Sequence, residues 1–455
     1  MNSWFISAIS SQMGKKPRFG GAFLWHNSFI VLQKGSKMAI EIKVLRDKKL
    51  GTWRGLGGAI SEATAYNFSK LSPERQQGFL RAYYSEEGLN YSWGRLSIGS
   101  NDFCLKPYEY TKRGDMSDFS IVHDEKWVIP MLHAIQKFRK KQGFKEDLTY
   151  VASPWSPPSH MKTTHMTRFG GSLAWWKYKA YTDYLRRWYD TYAERGIKIR
   201  YLSPQNEPHA VQLWESCVYT ATSMKRLTYK YLAKEFKDTD LQFLLWDHNK
   251  PELSKVAFKL FHGSYVTEYG KDKQVAGLCY HWYRGTHPEQ MWHVREKYPD
   301  ILLISSEMCC GFSPYNKDDW QNDARYYLGE LFHDINCGAA AFIDWNMLLD
   351  YSGGPSYCHN NVKSPVILNE KSNDFILSPI YDALKKFAKA FPIGSEVVRC
   401  EFAERGVVAI ARGEDENYTV VLANVASDER EAVVRCGEKE KTVLLRPTEV
   451  KAISF

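Results

Sequence analysis

The chain has 455 residues, 44% hydrophobic and 25% charged, which sets aside a single small domain and suits a barrel carrying an addition. The net charge of +9 comes from Lys and Arg scattered along the chain, and the one local cluster, Lys137–Lys141, reads as a solvated helix face; a nucleic-acid partner is therefore set aside. No segment approaches the length of a membrane helix, and Met1-Asn2-Ser3-Trp4-Phe5-Ile6 has neither a basic n-region nor a secretory apolar run, so a cytoplasmic protein with no membrane span is expected.

The cysteines point the same way. There are nine, an odd count, with no repeated spacing, and Cys104, Cys279 and Cys337 fall inside apolar strands. That is the pattern of reduced, buried thiols rather than a disulfide framework. Cys309-Cys310 has no CxxC spacing or partner histidines, so no metal site is expected. Three Asn-x-Ser/Thr matches, at Asn67, Asn90 and Asn417, are then read as chance. Aromatic residues make up 15% of the chain; most belong to packing, but flat indole faces are also what sugar-binding clefts are made of.

In chain order, residues 20–46 carry short apolar strands, Phe29–Leu32 and Met38–Leu45, separated by Lys34-Gly35-Ser36. They are too few to bury a core alone. The C-terminus supplies a partner: Val397–Phe402, Val407–Arg412, Tyr418–Val425, Glu431–Cys436, Lys441–Leu445 and Glu449–Phe455 alternate apolar and polar residues between charged or Gly-containing turns, the pattern of an antiparallel sandwich. The two ends are expected to form one β-domain, from 1–52 and 393–455.

Between them, 53–392 repeats strand, loop and amphipathic helix. Strands are expected to end near Gly58, Gly99, Trp155, Glu207, Asn249, Tyr283, Glu307 and Asn346. Helices are expected over Pro73–Glu86, Glu125–Gln142, Trp175–Glu194, Ser223–Phe236, Glu252–Tyr269, Pro288–Lys297, Trp320–Asn336 and Ile380–Ala390. About eight alternations with continuous apolar strands favour an α/β fold of the (β/α)8 TIM-barrel type over an open sheet. Chemistry in such a barrel sits at the C-terminal strand ends, where this chain places Asp102, Trp155, Glu207, Asp247, Tyr283, Glu307 and Trp345.

Two of these ends carry the argument. Arg200-Tyr201-Leu202-Ser203-Pro204-Gln205-Asn206-Glu207-Pro208 is an apolar strand that stops on a glutamate. Because proline disfavours a helical predecessor, Glu207 is expected to be extended. Ile301-Leu302-Leu303-Ile304-Ser305-Ser306-Glu307 delivers a second glutamate in the same way. Paired strand-end carboxyls are what glycoside hydrolysis needs, one to protonate the departing oxygen and one to attack the anomeric carbon or activate water. Carboxyls about 5–5.5 Å apart repel by roughly 3 kcal/mol at an effective dielectric of about 20, which is enough to keep one of the two protonated beside the other ionised. No cofactor is implied.

With those residues in view, the chain resembles glycoside hydrolase family 30, the group containing glucosylceramidase. The resemblance rests on an ordered series. It begins with Gly57-Gly58-Ala59, Leu71-Ser72-Pro73-Glu74, Ser92-Trp93-Gly94-Arg95, Ser100-Asn101-Asp102-Phe103 and Ser153-Pro154-Trp155-Ser156-Pro157-Pro158. It continues through Met161-Lys162-Thr163, Gln205-Asn206-Glu207-Pro208, Tyr280-His281-Trp282-Tyr283, Ser306-Glu307-Met308-Cys309, Asp344-Trp345-Asn346, Gly353-Gly354-Pro355 and Ser364-Pro365. It implies a retaining β-glycosidase with Glu207 as acid/base and Glu307 as nucleophile, hence a protonated Glu207 beside an ionised Glu307, and a β-sandwich built from both chain ends. By position, Asp102, Trp155, Asn206, Tyr283, Trp345 and Asn360 match residues around the sugar. Arg95 is expected to ion-pair near the nucleophile, and His281 to give support. His160, Thr164 and Tyr357 depart from the family pattern on what is expected to be the leaving-group side. The substrate expected is a carbohydrate, first a β-glucoside. An endo-β-1,6-glucanase, a β-xylosidase and a catalytically inactive sugar-binding protein stay open as alternatives, as does the oligomeric state.

Overall fold

The computed structural model describes residues 39–263, 274–312, 319–403 and 405–455; the expected strand Phe29–Leu32 lies outside them. Residues Ala39–Phe455 form one compact unit. Eight parallel strands close into a barrel: β2 (Gly55–Ala59), β3 (Trp93–Ile98), β4 (Thr149–Pro154), β5 (Ile199–Leu202), β6 (Gln242–Asn249), β7 (Val275–His281), β8 (Leu302–Glu307) and β9 (Ala341–Asp344). This is the expected TIM barrel. Its interior is filled by a layer to which every strand from β3 to β9 contributes: Trp93, Val151, Tyr201, Leu244, Cys279, Ile304, Ala341 and Ile343. Trp93 stacks on Tyr201 at 5.5 Å. The neighbouring strand makes room with Gly57, where a Cβ would fall 2.5 Å from that of Trp93.

The intervening helices pack an apolar stripe onto the barrel. Tyr178–Glu194 buries Tyr181, Tyr184, Leu185, Trp188 and Tyr192, the i, i+3, i+4 spacing of one helix face. Pro73–Tyr84 begins on the Ser72 cap, whose hydroxyl accepts from the Arg75 amide, with Pro73 in the first turn. The expected helix Ser223–Phe236 is broken: Ala221–Arg226 is α-helical, Leu227–Leu232 is a π-helical segment, and Ala233–Glu235 returns to α. The expected Glu252–Tyr269 is helical over Leu253–Phe261, and its far end lies outside the described residues.

The second sheet is built from both ends of the described chain, β1 (Ile40–Thr52) together with β13 (Glu396–Phe402), β14 (Val407–Glu414), β15 (Asn417–Asn424), β16 (Arg430–Cys436), β17 (Lys439–Leu445) and β18 (Val450–Ser454), in the order β17-β16-β1-β13-β14-β15-β18. It is mixed rather than wholly antiparallel, because β1 runs parallel to β16 while pairing antiparallel with β13. The two-residue period of a strand divides its faces. Val407, Ala409 and Ala411 enter the sheet's own core with Ile40, Ile42 and Val434, whereas Val408 and Ile410 join the core shared with the barrel. A small three-stranded sheet, β10 (Leu348–Asp350), β11 (Val366–Asn369) and β12 (Asp374–Leu377), follows the last barrel strand.

Candidate active site

The C-terminal ends of the barrel strands surround a pocket of about 420 Å³ lined by Asp102, Trp155, Asn206, Glu207, Tyr283, Glu307, Trp345 and Asn360, with His248, Gln212, Trp214 and Cys309. All eight pocket residues expected from the sequence therefore meet at one mouth. Arg95 and His281 lie beneath them, 1% and 0% exposed.

Glu207 and Glu307 face one another: a carboxylate oxygen of each and a ring nitrogen of His281 all lie within 4.8 Å of one another. Glu307 ends β8, and its carboxylate accepts from the Arg95 guanidinium and, at 2.9 Å, from the Tyr283 hydroxyl. Arg95 also donates to Ser153 Oγ at 3.1 Å, Asn206 Oδ1 at 2.8 Å and Asp247 Oδ2 at 3.0 Å. One planar fork thus ties together β3, β4, β6, β8 and the segment after β5. With Asn206 Oδ1 taken by Arg95, its amide donors are left to meet a ligand.

Glu207 is not extended, as its place before Pro208 leads one to expect. Its φ is +45°, a left-handed conformation uncommon for a residue with a Cβ. The cause lies on the next strand: the Glu207 amide donates to the Asp247 carbonyl at 2.9 Å, and its carboxylate meets His281 Nδ1 at 3.1 Å and His248 Nδ1 at 3.6 Å. Trp246 and Asp247, with φ of +82° and +52°, are left-handed beside it.

The protonation expectation also changes. Burial pushes the Glu207 carboxyl up, but hydrogen bonds and charge from His248 and His281 outweigh it and hold the group well below the usual range. For His281, burial favours the neutral ring; the charge of Glu307 and the hydrogen bonds to Asp247 and Glu207 overcome it and bring the imidazolium up to about 9. Repulsion from an ionised Glu307 alone predicts a protonated Glu207, and the imidazole between the carboxylates reverses that. Asp247 closes the set. Burial opposes its ionisation, but Arg95, His281 and Ser306 hold it far below the usual carboxylate range; His281 Nε2 lies 3.1 Å and Ser306 Oγ 2.6 Å from its Oδ1.

On the opposite wall, Asn360 donates to Asp102 at 2.7 Å. Burial pushes the Asp102 carboxyl up to about 8, against the Asn360 hydrogen bond and with help from the charge of Glu307. Trp155 and Trp345 stack on one another at 5.2 Å, with the Arg95 guanidinium 4.9 and 5.5 Å from their ring centres, so they are a buried platform more than free stacking faces. Tyr357 does not line the pocket; its hydroxyl donates to Glu215 at 2.6 Å. His160 is not among the lining residues either. The sequence places Asp247 among the strand ends but gives no sign of its central place, and it does not point to Gln212 or Trp214. Asp247 lies near the C-terminal end of β6, where an apolar run meets a polar stop, the same signal that points to the glutamates; Gln212 and Trp214 stand in a loop without periodicity.

The Glycosyl hydrolase family 30 TIM-barrel domain model matches residues 53–391. The lysosomal acid glucosylceramidase of Mus musculus is 26% identical over 406 residues, covering 84% of this chain and 77% of that protein. The endo-1,6-beta-D-glucanase of Neurospora crassa is 23% identical over 402 residues, covering 84% and 78%. Among solved structures, SrfJ from Salmonella typhimurium superposes with a TM-score of 0.83 at 26% identity, covering 93% of this chain and 94% of its own. Strand-end carboxyls, the barrel that presents them and the family match over most of the chain agree: the protein belongs to glycosyl hydrolase family 30 and is a hydrolase of O-glycosyl bonds.

Proposed function

We propose that the protein is a retaining β-glucosidase of the glucosylceramidase type, with Glu307 as nucleophile and Glu207 as acid/base. The observation that carries this reading is the approach of the two carboxylates to within 4.8 Å. Retaining enzymes hold their carboxyls about 5–5.5 Å apart, whereas inverting enzymes leave roughly 6.5–9.5 Å for a water. Arg95 and Tyr283 fix the Glu307 carboxylate from below and from the side, so a lone pair meets the anomeric carbon in a set direction. Asp102 and Asn360 offer paired polar groups to sugar hydroxyls, and Asn206 a donor for the 2-hydroxyl, whose bond strengthens in the transition state.

A hydrophobic leaving group is favoured over a second sugar by the rim. Phe169, Val211 and Leu213 are exposed next to the pocket residues Gln212 and Trp214, and the Phe169 amide donates to the Gln212 carbonyl at 3.0 Å. Exposed apolar side chains gathered beside a polar pocket suit an apolar aglycone. All nine cysteines are unpaired, which fits action in a reducing compartment such as the cytoplasm. The test is incubation with a glucose-configured epoxide or 2-fluoro-glucoside, followed by mapping of the labelled peptide, and a comparison of octyl β-glucoside with gentiobiose. Label on Glu307 and preference for the octyl glucoside are expected. Label elsewhere would overturn the nucleophile, preference for the disaccharide would favour a 1,6-glucan substrate, and inertness to every β-glycoside would favour a binding protein.

A further inference from the structure

We propose that His281 is the proton store for Glu207: the proton given to the leaving oxygen is held between His281 Nδ1 and a Glu207 oxygen, while Asp247 retains the proton on Nε2. The proposal rests on the assignment of Glu207 as acid/base, and it concerns a residue that touches no substrate.

The geometry argues against an ordinary core histidine. Such a ring is satisfied by a carbonyl or a water, but His281 is 0% exposed and meets a carboxylate on each side, Glu207 at 3.1 Å and Asp247 at 3.1 Å. A third, Glu307, lies 3.8 Å from Nδ1. Among the described residues, the charged or titratable groups facing this set are Asp247 and His248 from β6, Glu207 from the segment after β5, Glu307 from β8, Tyr283 after β7 and Arg95 from β3, with the Cys279 thiol of β7 beside Asp247 and the Cys309 thiol beside Tyr283. Arg95 is shared between Asp247 and Glu307, so its single charge does not balance three carboxylates. A second cation on His281 relieves that excess.

The buried ring also has no direct contact with solvent, so its Nδ1 proton leaves by way of Glu207. In the first half-reaction a Glu307 oxygen bonds to the anomeric carbon, and the glycosidic bond breaks with its electron pair going to the leaving oxygen. His281 Nδ1 passes its proton to the Glu207 carboxylate, which hands it to that oxygen, so Glu207 is left ionised and His281 neutral as the charge of Glu307 is consumed in the ester. In the second half-reaction a water oxygen bonds to the anomeric carbon, the ester bond returns its electrons to Glu307, and the water's proton passes through Glu207 back to Nδ1. Charge on Glu307 and charge on His281 thus appear and vanish together.

The test uses His281→Asn in the full chain, with two substrates differing in need for acid assistance. For an alkyl β-glucoside, kcat/KM is expected to fall about 100-fold, the range of general-acid catalysis, and the basic limb of its pH profile to move acidward by about one unit or more. For 2,4-dinitrophenyl β-glucoside, whose leaving group needs no proton, the fall is expected to stay under about 3-fold. Equal losses on both substrates, or an unmoved basic limb, would make His281 merely structural and overturn the proposal. Ring ¹⁵N shifts of His281 in the wild-type protein decide the matter if the variant does not fold: a doubly protonated ring at pH 7 that turns neutral on covalent trapping is expected, and a neutral ring at pH 7 before trapping overturns it. Failure of the functional reading itself would look different, as wild-type inertness toward the dinitrophenyl glucoside or trapping away from Glu307.

Discussion

Asp102 and Arg95 are both buried, with opposite consequences for their charge. Asp102 binds its proton in the folded protein up to about pH 8, against an ordinary value of 3.8. The folded state therefore holds more protons than the unfolded chain between these values, and stability from this group is present at low pH and lost as pH rises through the window. Asp102→Asn removes the titration while keeping an acceptor for Asn360. Its Tm relative to the wild type should climb steadily between pH 5 and pH 8, and a difference that stays flat would show that Asp102 is ionised throughout. Arg95 is the reverse case, a cation that two buried carboxylates need. Arg95→Met leaves Asp247 and Glu307 without their shared counter-ion, and removal of one partner from a buried pair costs about 3–5 kcal/mol. Denaturant unfolding should register a loss of that size. A loss below 1 kcal/mol would mean that the two carboxylates take up protons or water freely in its absence.

The loops after β4 and β5 are tied together by Lys162 as much as by their own turns. Its ammonium is buried and donates to the carbonyls of Thr167 at 3.1 Å and Ser216 at 2.5 Å. Ser216 Oγ accepts from the amides of Gly170 and Gln212. Adjacent Glu215 accepts from Ser100 and Tyr357, so the pin reaches the segments after β3 and β10. Lys162→Met keeps the aliphatic stem but strands two carbonyls, at about 1–3 kcal/mol. Because these loops carry Phe169, Val211, Leu213 and Trp214, the KM for a long-chain alkyl glucoside should rise several-fold while turnover of a small aryl glucoside is kept; equal effects on both would separate the pin from the aglycone side.

This is also the scale at which sequence reading succeeds and fails. The polar stops that carry Glu207 and Glu307 are legible because each follows an apolar run, a local signal, although β5 itself ends at Leu202 and Glu207 lies in the turn beyond it. The left-handed φ of Glu207 is not legible, since the Asp247 carbonyl and His281 that set it arrive from strands far along the chain. The same holds for the π-helical segment at Leu227–Leu232, whose residues read as ordinary helix. The parallel pairing of β1 with β16 is hidden because alternation is identical for either strand direction.

At the scale of the whole molecule, β1 matters more than its position near one end of the family domain suggests. It lies inside the seven-stranded sheet, between β16 and β13, with Ile42 opposite Val434 on one side and Phe402 on the other. Ile40, Ile42 and Val44 are each under 5% exposed and belong to the sheet's core. At about 1.5–3 kcal/mol for each buried aliphatic side chain, their removal forfeits on the order of 5–9 kcal/mol, comparable with the roughly 5–15 kcal/mol that holds a domain folded. It would also expose the unpaired edges of β13 and β16, which invite pairing with other chains. A chain beginning at Trp53, where the family match starts, should therefore aggregate or unfold its sheet well below the barrel's melting temperature, although every pocket residue is present. A chain beginning at Ala39 keeps β1 and should stay soluble, with a Tm well above that of the chain beginning at Trp53. Size-exclusion chromatography and calorimetry on the two truncations distinguish these outcomes. Equal behaviour of both would mean that the sheet closes over the missing strand and that the barrel stands without it.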